Sequence, residues 1–248
     1  EFEIVRQNIE VPSVKGASIV RNGVGYVRII QFAEPTAQSL QASLEKLTAE
    51  GMKALVLDLR NNPGGLLKSA VDVAEKFLPK GTLVVTTKGR EFMPKDVPNR
   101  AGGVIHYADF PMVVLINGGS ASASEIVSGA LRDNGRAVLV GETTFGKGSV
   151  QTVLRLSEDR EAALRLTTAL YYTPGGRQIN NKGIDPDIPV YLTTEEWRRI
   201  LIRRLHIENP QLYSDKDKAE YIEVVDRPLE RAVDLLEAVC AYNSAAKK

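Results

Sequence analysis

The sequence predicts an α/β fold with a largely parallel central sheet and a helical C-terminal appendage. Three observations carry this. Residues 54–59 and 111–116 are short, continuously apolar runs, the pattern of strands buried on both faces. Each is followed by a glycine-bearing turn and then by an amphipathic segment, so strand and helix alternate. After Val190 the composition shifts to charged, helix-forming stretches.

In chain order, residues 17–21 and 24–32 are β-rich and separated by Asn22-Gly23, a hairpin signal. Pro35 opens a helix to about Glu50, with Ala37, Leu40, Leu44 and Leu47 recurring at helical spacing. The buried strand 54–59 is broken by Asn61-Asn62-Pro63-Gly64-Gly65, after which residues 66–78 read as helix and 82–87 as a β-branched strand. Residues 89–109 are polar, with Gly, Pro and Arg, and read as a loop or a flap near the site. The strand 111–116 ends at Asn117-Gly118-Gly119; residues 123–133 follow as helix and 137–140 as strand. Residues 150–156 and 162–172 form a longer hairpin with a charged turn at 157–161. In the tail, residues 193–205 are a basic helix, N-capped by Thr193 or Thr194 with Glu195 and Glu196 in its first turn. Pro228 starts a second helix that runs to about Ala245.

Composition excludes several function classes. The chain has 248 residues, 43% hydrophobic and 25% charged, an ordinary globular balance. Its 32 basic and 31 acidic residues leave a formal charge of +1, which makes no electrostatic case for nucleic acid. The single cysteine, Cys240, rules out an intrachain disulfide and any multi-cysteine zinc site. Only two histidines, His106 and His206, are available to any mechanism that needs one.

Three loops bear glycines. Asn61-Asn62-Pro63-Gly64-Gly65 joins a buried strand to a helix, the place where open α/β sheets bind ligands, although Gly and Pro also punctuate ordinary turns. The segment 117–125, Asn-Gly-Gly-Ser-Ala-Ser-Ala-Ser-Glu, again joins strand to helix. A serine there sits at the positive end of the helix dipole among small residues that leave it accessible. Ser122-Ala123-Ser124-Glu125 is equally a capping box, and capping and catalysis do not exclude each other. The third loop, 141–149, nearly matches the nucleotide-binding pattern G-x-x-x-x-G-K-[ST]. Gly148 stands where a hydroxyl must hold Mg²⁺, and Val150-Gln151-Thr152-Val153-Leu154 reads as strand where a phosphate loop needs a helix. Neither histidine lies beside these loops, which disfavours a Ser-His-Asp triad. A lysine base avoids the difficulty, because an ammonium taken out of water loses its proton more readily. Lys147, flanked by Phe145, Gly146 and Gly148, is the candidate.

The segments 56–65 (Val-Leu-Asp-Leu-Arg-Asn-Asn-Pro-Gly-Gly), 120–126 and 144–151 (Thr-Phe-Gly-Lys-Gly-Ser-Val-Gln) resemble the C-terminal processing peptidases, also called tail-specific proteases. Tyr171-Tyr172-Thr173-Pro174-Gly175-Gly176-Arg177 and Gly183-Ile184-Asp185-Pro186-Asp187 are similar to the same family, so the resemblance spans roughly residues 1–190. It implies a crotonase/caseinolytic-protease-like layered core and a serine endopeptidase that needs no metal or cofactor. By motif position it implies Ser122 as nucleophile, Lys147 as general base and Gln151 as the residue that orients the lysine. The backbone N–H groups of Gly65 and Ala123 would be the oxyanion donors, and Glu125 matches the motif without an assigned role. The alternative readings are a crotonase-like acyl-CoA enzyme, which leaves Lys147 and Gln151 unexplained beside Ser122, and an inactive scaffold of the same fold.

The expected division is a protease core at 1–192 and a helical tail at 193–248. The family carries an upstream PDZ module, which has no counterpart in this sequence. The opening Glu1-Phe2-Glu3-Ile4, without Met or signal segment, fits a processed or truncated piece of a longer protein. Expected partners are protein or peptide substrates with accessible C-termini, a second copy through the tail helices and, for the full-length protein, a membrane surface. Nucleic acid is not among them. The resemblance implies a periplasmic or otherwise extracytoplasmic location.

Overall fold

The computed structural model describes residues 11–89, 96–103, 107–156, 162–208 and 224–246. Strands β1 (Val14–Arg21) and β2 (Val24–Ile29) form an antiparallel hairpin. Its turn takes positive φ at both Asn22 (46°) and Gly23 (82°), the backbone that tight hairpins require. Helix α1 (Thr36–Ala49), β3 (Ala54–Asp58), α2 (Leu67–Ala74), β4 (Leu83–Gly89), β5 (Val97–Arg100), β6 (Met112–Ile116), α3 (Ala123–Asp133) and β7 (Val138–Gly141) follow. Then come β8 (Ser149–Arg155), β9 (Ala163–Tyr172), β10 (Ile188–Pro189), α4 (Thr194–Glu208) and α5 (Arg227–Ala245).

Two sheets result. One has six strands in the order β1-β2-β3-β6-β7-β10, and every pair in it is parallel except β1–β2. The other has four antiparallel strands in the order β5-β4-β9-β8. The mixed α/β class and the largely parallel central sheet are therefore as expected.

The apolar runs make sense on both faces. Successive side chains of a strand point to opposite sides. Leu55 and Leu57 of β3 join Leu40, Leu44 and Leu47 of α1, Val73 of α2 and Val127 of α3 in the larger core. Ala54 and Val56 of the same strand join Val113, Leu115 and Val140 under Ala232, Val233 and Leu236 of α5. All five residues of β3 and of β6 are buried. Each buried leucine contributes roughly 1.5–3 kcal/mol. Helix α5 is thus the cover of one sheet face.

Three differences from the sequence-based expectation have local causes. The predicted helix 66–78 closes at Ala74, and the next residues turn so that Phe77 and Leu78 can enter the core. Part of the predicted loop 89–109 is strand β5, because Val97, Pro98, Asn99 and Arg100 pair antiparallel with the edge of β4. Ile188–Pro189 is too short to show a pattern, yet it pairs with β7. The charged turn 157–161 and His106 lie outside the described residues.

Candidate active site

The chain leaves β3, β6 and β7 at the carboxyl ends of three adjacent parallel strands. The three glycine loops therefore converge at one edge of the sheet, where such folds place ligands. The contacts between the loops are specific. Asn117 Oδ1 accepts from the Asn61 N–H at 2.9 Å, and Asn117 Nδ2 donates to Asn61 Oδ1 at 2.9 Å. The Asn62 carbonyl accepts from the Ala121 N–H at 3.0 Å and from Ser124 Oγ at 2.9 Å. Ser120 Oγ donates to the Leu59 carbonyl at 2.8 Å.

Gly64 lies at the closest approach. Its φ is 98°, and a Cβ added there would sit 2.8 Å from Ser122 Cβ and 2.9 Å from Ala123 N. Only glycine lets the first loop pack against the second. The N–H groups of Gly65 and Ala123 make no hydrogen bond among the described residues. Ala123 is the first residue of α3, so its amide is one of the unpaired donors of a helix N-terminus. Two unpaired donors thus stand on either side of the Gly64–Ser122 contact.

Ser122 is half-buried and has φ 56° and ψ −111°. An ordinary N-cap has extended backbone. A side chain held in this sparsely populated region costs about 1–3 kcal/mol, and such outliers concentrate at functional sites. Capping does not require that strain.

Glu125, which the sequence left without a role, organises the site. It is fully buried in the first turn of α3. Its Oε2 accepts from the Ser122 N–H at 2.7 Å and from the Lys147 N–H at 2.8 Å. Its Oε1 accepts from Thr144 Oγ1 and from the Gly146 N–H, both at 2.6 Å. One oxygen therefore ties the backbone of Ser122 to that of Lys147. The lysine loop is braced from its other side. Thr144 Oγ1 accepts from the Ile184 N–H at 2.7 Å, and a Cβ on Gly148 would sit 2.3 Å from Asn180 N. The Gly183-Ile184 motif is thus the loop's support.

Lys147 and Gln151 are exposed. No hydrogen bond joins the Lys147 ammonium to Ser122 or the Gln151 amide to Lys147 among the described residues. The structure ties the Ser122 and Lys147 backbones together through Glu125 Oε2 without a hydrogen bond between the two side chains. Gln151 lies on β8 just past a register shift between Val150 and Gln151, a device that re-aims side chains at functional edges. Gly148-Ser149 runs into β8 and not into a helix, so the phosphate-loop pattern has no phosphate-loop structure. His206 is a buried residue of α4.

The Peptidase family S41 profile matches residues 23–190. This chain belongs to peptidase family S41. A carboxy-terminal-processing protease of Bartonella bacilliformis is 50% identical over 195 residues, covering 77% of this chain and 43% of that protein. A carboxyl-terminal-processing protease of Synechocystis sp. is 41% identical over 190 residues, covering 75% of this chain and 43% of that protein. Among solved structures, the photosystem II D1 C-terminal processing protease superposes with a TM-score of 0.65 at 34% identity, over 74% of this chain and 50% of that one. The S41 chain spans less than half the length of these curated relatives. The family expected from the motifs is the family found. No helix among the described residues is long and apolar enough to cross a membrane.

Proposed function

We propose that this S41 chain is the catalytic part of a C-terminal processing serine endopeptidase, with Ser122 as nucleophile and Lys147 as general base. The observation that carries this reading is the strained Ser122 backbone beside the unpaired amides of Gly65 and Ala123. An extended substrate adds to the sheet by main-chain pairing and presents its scissile carbonyl to Ser122 Oγ. Lys147 takes the serine proton. For this it must be neutral. Gln151 orients the amine. The Gly65 and Ala123 amides stabilise the tetrahedral oxyanion, usually the largest single contribution to such a rate. Lys147 then gives that proton to the departing amine, which leaves the acyl-enzyme; the neutral lysine takes a proton from the attacking water and returns it to Ser122 Oγ as the acyl bond breaks.

In this reading residues 1–192 are the protease core and 193–248 the helical tail. Substrates are proteins with accessible C-termini in an extracytoplasmic compartment, as the resemblance implies. The tail offers a surface for self-association, and the full-length protein associates with a membrane surface. Ser122→Ala and Lys147→Ala are each expected to lower cleavage of an unfolded protein by at least about 10³-fold with the fold intact by circular dichroism. A peptidyl phosphonate is expected to label Ser122. Equal cleavage by the unsubstituted chain and Lys147→Ala would show that the lysine is not the base, and absence of labelling would favour the acyl-CoA alternative.

A further inference from the structure

We propose that the C-terminal helices are a positioning part of the active site: Arg204 and Asp226 complete a buried ion network with Asp58 and Arg60 and so hold the loop that carries the Gly65 amide. This rests on Ser122 being the nucleophile and the Gly65 and Ala123 amides its oxyanion donors. The network sits at the root of that loop. Asp58 ends β3 and is fully buried, and the Arg60 side chain is 1% exposed. Arg60 Nε and Nη2 donate to the two Asp58 oxygens at 3.0 and 2.7 Å. The other side of the same guanidinium donates to both oxygens of Asp226, at 2.7 and 2.9 Å. Asp226 is the N-cap of α5, where it also accepts from the Leu229 N–H. Arg204 of α4 donates to Asp58 Oδ2 at 2.7 Å and to Asp226 Oδ2 at 3.3 Å. Two cations and two anions therefore balance, with one of each drawn from the tail.

Trp197 joins the same assembly. The Arg60 and Arg204 guanidinium carbons lie 5.3 and 5.2 Å from its ring centroid, within cation–π range. Arg60 is thus gripped from three sides, two of them belonging to α4 and α5.

The residues directly after Arg60 give the network its consequence. Asn61 takes φ 56°, Asn62 folds its carboxamide back onto the Gly64 N–H at 2.9 Å, and Gly64 touches Ser122. Five residues of this turned chain link Arg60 to the Gly65 amide. If the tail leaves, Asp226 and Arg204 leave with it, and Arg60 is left with a cationic face that must seek water. That movement pulls on the Gly64–Gly65 turn. A 1 Å displacement of a catalytic group costs on the order of 10²-fold in rate. A cleft of about 200 Å³ lined by Arg60, Asn117, Glu142, Thr193, Trp197 and Pro228 separates tail from core beside the network, so the contact between them is incomplete there.

The test uses the full chain and its sole tryptophan, Trp197, as reporter of docking. Arg204→Lys keeps the charge and loses the planar fork; Asp226→Asn removes a charge. For each variant still folded by circular dichroism, Trp197 emission, kcat and KM on an unfolded protein, and the phosphonate labelling rate at Ser122 are measured. The expected result is a shifted emission with kcat and labelling rate both lowered 10- to 100-fold and KM within about threefold. Millimolar ethylguanidinium is expected to restore part of the rate to Arg204→Ala. A folded variant with shifted emission but unchanged kcat and labelling overturns the proposal, as does unchanged emission in both variants. Should Asp226→Asn not fold, Arg204→Lys decides alone. Failure of the Ser122 reading looks different: the unsubstituted chain is then not labelled, and Ser122→Ala cleaves as well as it does.

Discussion

Two fully buried carboxylates flank the candidate site, and they are satisfied by different groups. Asp58, at the root of the first loop, accepts one backbone N–H, that of Arg60 at 2.9 Å, and is otherwise met by side chains: Arg60, Arg204 and the Tyr26 hydroxyl, which donates at 2.8 Å. Glu125, at the second loop, is met by three backbone N–H groups and the Thr144 hydroxyl, with no cation among its hydrogen-bond partners. Burial alone would raise the Asp58 carboxyl, but Arg60 and Arg204 beside it win and hold it well below the usual carboxylate range. The contrast shows what each position needs. Asp58 bridges the core and two tail helices, and long arginine side chains span that gap. Glu125 fixes the relative position of two loops, and amides with no rotatable bonds of their own do that more rigidly.

Asp58→Asn leaves Arg60 buried beside one remaining carboxylate and is expected to cost about 3–5 kcal/mol, read as a lowered denaturant midpoint. Glu125→Gln turns one acceptor oxygen into a donor that faces amide donors. A loss of about 2–3 kcal/mol is expected, less than for Asp58→Asn, but with the larger fall in kcat, since it loosens both Ser122 and Lys147. A stability loss in Glu125→Gln that matched Asp58→Asn, with kcat unchanged, would erase the distinction. Tyr26→Phe removes one hydrogen bond to a carboxylate that keeps its cations and is expected to cost about 1–2 kcal/mol in the same assay.

Asp58 is lowered in the folded state, so its contribution is complete above the unfolded value of about 4 and is lost as pH falls through the lower folded value. Stability measured downward from about pH 5 is expected to fall less steeply in Asp58→Asn than in the unsubstituted chain. Equal slopes would mean that Asp58 contributes no linkage.

Legibility in the sequence followed the range of the interactions. The strands β3 and β6 were readable because burial on both faces leaves an unbroken apolar run. The loops at 61–65 and 117–125 were readable as strand-to-helix junctions because glycines and small residues are local marks, whereas singling out Ser122, Gly65 and Ala123 within them took the resemblance of the motifs. Strand β5 was missed because Val97-Pro98-Asn99-Arg100 owes its extended form to the edge of β4, not to its own residues. The role of Glu125 was invisible because three of its four partners lie about 20 residues on, in a loop whose return to α3 depends on β7. The Asp58–Arg60 network was further out of reach, with partners 146 and 166 residues away.

The alternation of strand and helix, the positions of the glycine turns and the residue types available for chemistry are all local properties of the chain. Its two histidines, neither beside a glycine loop, made Lys147 the candidate base. Each of these is a property of a few consecutive residues. Only the assembled sheet set the strained backbone of Ser122, the grip of one Glu125 oxygen on both Ser122 and Lys147, and the ion network that α4 and α5 close under the loop at 61–65. The reason is the cost of burying charge. A carboxylate can leave water only where distant donors arrive to meet it, and which donors arrive is settled when the sheet assembles.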